Sequence, residues 1–177
     1  MQVALVVAGW LRRLADEKIM PRTFVNDNET LYRRVPYGKN LYVVQPDSSI
    51  RFSSQAFSDP RYRPSVDRAE LCHHNPTHTQ LKPSDGVISL VTHDVRSIEG
   101  IVQNDQNGNA LQSFDVDVEH VPVVNDPVLP DNDAHAEIYT IPVCPNKNIF
   151  RKLSEKLALL ASKRQWEIEP CDPQEFS

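Results

Sequence analysis

The chain has 177 residues, 40% hydrophobic and 24% charged, with a formal net charge of −5, proportions that suit one globular domain. The negative balance argues against a nucleic-acid binder, whose footprint is a basic face. Its five glycines are never closer than eight residues, so neither a P-loop nor a dinucleotide-binding GxGxxG turn exists, while 14 prolines favour loops and edge strands over a helical bundle.

In chain order, Val3, Val6, Trp10, Leu14 and their neighbours recur at helical spacing, which predicts an amphipathic helix over 3–19. Its arginines follow the apolar run instead of preceding it, and the run is too short to span a bilayer, so a cytoplasmic protein without membrane contact is expected. Residues 41–45 and 50–53 read as two β runs around the turn Pro46-Asp47-Ser48-Ser49. Ser65, Asp67 and Glu70 resemble the capped start of a helix that Asn75-Pro76 would end. Residues 86–92 predict a strand, and Asn107-Gly108 marks a hairpin between the apolar runs of 100–121.

A strand over 136–143 precedes a helix begun by Asn146 or Asn148, with Ile149, Leu153, Leu157 and Leu160 on one face and Lys163 and Arg164 at its end. A short strand at 166–170 comes last. The fold class expected is α+β, a mainly antiparallel sheet with an N-terminal and a C-terminal helix. The domain plan is a single domain over 1–177, with a helical segment at 1–22, a sheet core at 23–170 and a flexible tail at 171–177.

Charge is unevenly distributed. No Lys or Arg occurs from Val102 to Asn146, where eight acidic residues fall, whereas the first 40 residues hold seven basic and four acidic residues. Such segregation suits a binding or accessory subunit that needs no cofactor and docks on a protein partner. Cys72, Cys144 and Cys171 are odd in number and lack CxxC pairing, which suits free thiols in a reducing compartment.

Several constellations could carry chemistry. Cys72, His74 and His78, with Cys144, are candidate zinc ligands, but Pro76 breaks the helical spacing of the two histidines, so no metal is expected there. Asp115, Asp117 and Glu119 share one strand face and could join Asp131 and Asp133 in an oxygen cage for Ca²⁺ or Mg²⁺. Alternation on a solvent-facing strand explains the same pattern. His93, beside Asp94, and His135 are a candidate general acid–base pair for a metal-independent ribonuclease, although the acidic middle region would repel RNA.

His135 and Glu137 project to one strand face, where they either meet solvent or share a pocket. Upstream stand Arg33, Arg34, Ser53 and Ser54. Arginine, then a serine-bearing strand, then glutamate is similar to the order in ADP-ribosyltransferases of the R-S-E class. That resemblance implies NAD held by arginine and serine and a nucleophile oriented by Glu137, with His135 where the family's E-x-E has its other acid. Under it, Arg34, Ser53, His135 and Glu137 would be catalytic, and Arg33 and Ser54 would bind cofactor, in an effector enzyme acting on NAD or a nucleotide. The words "SSQAF", "SVDRA" and "NDAHAEI" also resemble segments of small bacterial proteins, which implies a bacterial origin and supplies no activity.

Overall fold

The computed structural model describes residues 23–176, and the helix predicted over 3–19 lies outside the described residues. Seven antiparallel strands form one sheet in the order β6-β7-β8-β4-β1-β5-β9. They are β1 (Thr30–Val35), β4 (Ser65–Arg68), β5 (Gly86–Val91), β6 (Ile101–Asn104), β7 (Ala110–His120), β8 (His135–Ile141) and β9 (Trp166–Ile168). A separate hairpin pairs β2 (Tyr42–Val44) with β3 (Ile50–Phe52). Among the described residues, two α-helices, α1 (Thr92–Arg96) and α2 (Lys147–Arg164), join these strands in an α+β fold. The helix α2 is followed by β9, and the expected tail begins tethered, the Cys171 N–H donating to Ser84 O and Pro173–Phe176 turning into a short 3-10 helix.

The helix α2 starts where Asn146 accepts hydrogen bonds from the N–H groups of Asn148 and Ile149, relieving two of the donors a helix start leaves orphaned. Ile149, Leu153, Leu157 and Ala161, four residues apart, form its buried stripe. That stripe packs in one core with Leu31 of β1, Val66 of β4, Ile88 of β5 and Ile138 of β8. The β2–β3 hairpin closes the flank of this core. Phe52 N–H donates to Ser162 Oγ on α2, Ile50 N–H to the side chain of Gln165, and the Phe52 ring meets Trp166 edge-on at 4.6 Å.

One predicted element is overturned. Ser65–Arg68 is a strand, not the start of a helix. Its four residues lie between two neighbours, with Leu31↔Arg68 on one side and Val66↔Ala136 on the other, so long-range ladder bonds override the local capping pattern. Val66 faces the helical core, while Arg68 is buried and takes Glu29 through two bonds of 3.0 and 2.9 Å. The chain then leaves the sheet in turns, with His73 and His74 in the left-handed region at φ 52° and 55°. Asn75 caps a 3-10 helix at Pro76–Thr79, and this segment, with Cys72 from the preceding turns, covers part of the sheet's second face over Tyr32 and Val87.

Candidate functional site

The rest of that second face is charged. Because side chains alternate along a strand, Ala136 and Ile138 of β8 point to the core, and His135, Glu137 and Tyr139 point away from it. Glu137 is nevertheless buried, its side chain 5% exposed between two arginines. Arg61 Nη2 lies 2.7 Å from one carboxylate oxygen and Arg63 Nε 2.5 Å from the other. Arg63 also reaches Glu119 at 2.7 Å and lies over the Tyr139 ring at 4.8 Å. The turn before β4 aims both guanidinium groups. Asp59 accepts the N–H groups of Arg61 and Arg63, and Tyr62 between them, at φ 61°, packs its ring on Phe150 of α2.

The acidic strand β7 is neutralised in the same way. Asp117 takes Arg96 at 2.7 Å, and Glu119 takes Arg63. Guanidinium partners therefore occupy Asp117 and Glu119, two of the five carboxylates that would have built an oxygen cage. Among the described residues no group of three or more His, Cys, Asp or Glu side chains is placed to hold a metal ion. Cys72 is buried, and burial, with Asp67 nearby, pushes its thiol up to about 11, so it stays protonated at neutral pH.

The residues singled out for NAD chemistry are divided between two faces. Arg34 lies on the charged face and bonds the buried Asp85 at 3.2 Å, and Asp85 also accepts the Lys82 N–H. Arg33, its neighbour, points the other way and bonds the carbonyls of Ala56 and Ser65. Ser53 and Ser54 border a hollow beside α2 with Glu155 and Leu159, on the helical side of the sheet. Glu137 is held by Arg61 and Arg63 and by neither Arg33 nor Arg34. His93 sits on α1 with an exposed ring against Asp94. Arg61 and Arg63 carried no sequence signal beyond the Asp59-Pro60 turn that precedes them.

His135 does something different. Its ring bonds Val121 O at 2.6 Å through Nδ1, and His120 Nε2 bonds Asp133 O at 2.7 Å. Two histidines thus staple the neck of the loop that joins β7 to β8, each ring donating across to a main-chain carbonyl. Val123 and Asn132 exchange backbone bonds of 3.0 and 2.9 Å just beyond. Inside, Asp131 accepts the Asn125 N–H, and Asp126 accepts those of Val128 and Leu129, which holds the Asp126 carboxyl below its ordinary range. Asn132 ties the loop to β4 by donating to Asp67 at 2.8 Å.

This compact Ω-like loop shows its apolar residues to solvent. Val124 is 62% exposed, Val128 85% and Leu129 54%. The side chains of Asp126 and Asp131 have only main-chain partners among the described residues, so the loop keeps its negative charge. Sequence reading missed it as a site. The available signal was two histidines flanking a stretch with three prolines and no basic residue.

Scans against protein-family models, curated proteins and solved structures each returned no match. Among the described residues no helix is long and apolar enough to cross a membrane.

Proposed function

We propose that this chain is a binding subunit that docks on a basic, partly apolar surface of another protein through the loop at residues 121–134. The observation that carries this reading is the pairing of exposure with order. Val124, Val128 and Leu129 stand in water on a scaffold fixed by two histidine staples, a β-bridge and two aspartate turns. Exposed apolar side chains on an ordered loop favour association, because little conformational entropy is lost when a partner covers them. The surrounding acidic charge selects a basic partner and speeds the encounter.

The test is affinity capture from cells that make the protein, with quantitative comparison of wild type and a Val128→Ser/Leu129→Ser variant. Both side chains are exposed, so the variant keeps the wild-type melting temperature. The expected result is a protein with a lysine- or arginine-rich surface recovered with wild type and lost with the variant. Equal recovery by both proteins contradicts the reading.

A further inference from the structure

A cleft lies where the sheet splits, beside the loop's anchor at Asp67. Strand β1 pairs with β5 along its whole length, from Thr30↔Val91 to Val35↔Gly86. On its other side it meets β4 only at Leu31↔Arg68 and Tyr32↔Asp67. Beyond Tyr32 the two strands part, and Ser65 and Val66 of β4 pair with β8 alone, through Ser65↔Glu137 and Val66↔Ala136. The gap opens into a cleft of about 660 Å³, within the size range of small-ligand sites.

Arg33 bridges the floor of this cleft. Its Nε donates to Ala56 O at 3.1 Å, Nη1 to Ser65 O at 2.5 Å and Nη2 to Ser58 O at 3.3 Å. All three acceptors are neutral carbonyls, and among the described residues no carboxylate lies within ion-pair distance of Arg33. A guanidinium has five N–H groups, so donors and a full positive charge remain for something in the cleft. Arg34 and Lys39 line the same space. Arg34 spends one Nη on Asp85, and Lys39 stands exposed at the rim.

The cleft also holds acceptor groups. Asp67 accepts one bond from Asn132, which leaves its other oxygen free to accept from a ligand. Thr79 also lines the cleft, its Oγ1 buried with no hydrogen-bond partner among the described residues apart from the weak thiol of Cys72. A cleft that combines cations, spare guanidinium donors and a carboxylate acceptor fits a molecule with an oxyanion and several hydroxyl groups. We propose that the β1–β4 cleft binds a small hydroxylated oxyanion, a phosphate monoester or a sugar acid. The oxyanion sits against Arg34 and Lys39, and the hydroxyl groups meet the spare N–H groups of Arg33 and the free oxygen of Asp67.

Calorimetric titration of the full chain distinguishes the two sources of the oxyanion. The probes are ribose 5-phosphate for the phosphate, gluconate for the carboxylate and ribose as the uncharged control, each taken to about 1 mM. One-to-one binding of either anion, with ribose silent, is the expected result, and the anion that binds tighter identifies the group. Lys39→Gln, at an exposed position, keeps the fold and weakens that anion about tenfold by removing one charge-assisted contact. Arg34→Gln removes a second, and its melting curve reports separately on the loss of the Asp85 pair. Silence from both anions, equal heat from ribose, or an affinity unchanged in both variants overturns the assignment.

Discussion

At the scale of single residues, the charged sheet face depends on pairing. Glu137 would be costly to bury alone, and its two arginines compensate the loss of water. Arg61 is 64% exposed and can rehydrate when its partner is neutralised, so the cost of breaking the cluster stays moderate. Glu137→Gln is expected to destabilise the fold by about 1–2 kcal/mol, the scale of a charge-assisted hydrogen bond. Urea unfolding measures it, and a change below about 0.5 kcal/mol, ordinary for surface substitutions, would refute the buried cluster. Sequence reading found Glu137 but not its partners. The alternation along β8 is local, whereas Arg61 and Arg63 arrive from a turn more than 70 residues earlier in the chain. His135 was legible as a notable side chain, but its role in fastening the loop depends on the carbonyl of Val121 across the neck.

At the scale of elements, local signals and long-range ones separate cleanly. The α2 helix shows its cap, its apolar stripe and its basic end within the span that folds, and both hairpins carry their turn residues between alternating strands. All three were therefore readable from the sequence. Strand β4 was not, because Ser65, Asp67 and Glu70 mimic a helix start and only register with β1 and β8 makes it a strand. Strand β1 went unread for a related reason. Arg33 falls between Leu31 and Val35 on the core-facing side and hides the apolar alternation, and its charge is accommodated only by carbonyls of later segments. The α2 stripe has its own test. Leu157 is fully buried against the sheet, so Leu157→Ala is expected to cost about 2–5 kcal/mol in denaturant unfolding through lost burial and the cavity left behind. A loss under about 1 kcal/mol would mean that the helix does not cover the sheet as described.

At the scale of the molecule, folding redraws the charge pattern of the sequence. The acidic stretch does not fold into one continuous negative surface, because Arg63 and Arg96 reach into it and neutralise Glu119 and Asp117, while Arg61 and Arg63 neutralise Glu137. The unneutralised part includes Asp126 and Asp131, which flank the exposed Val128 and Leu129 on the stapled loop. Charge polarity along the chain was thus legible, and the unneutralised charge on the stapled loop needed the fold. The most direct measurement of this claim is the association rate of the captured partner as a function of salt. The rate is expected to fall as the Debye length shrinks from about 10 Å at 0.1 M to about 3 Å at 1 M, with a shallower dependence in Asp126→Asn/Asp131→Asn. A rate indifferent to salt, or the same salt dependence in wild type and variant, would contradict docking through this loop.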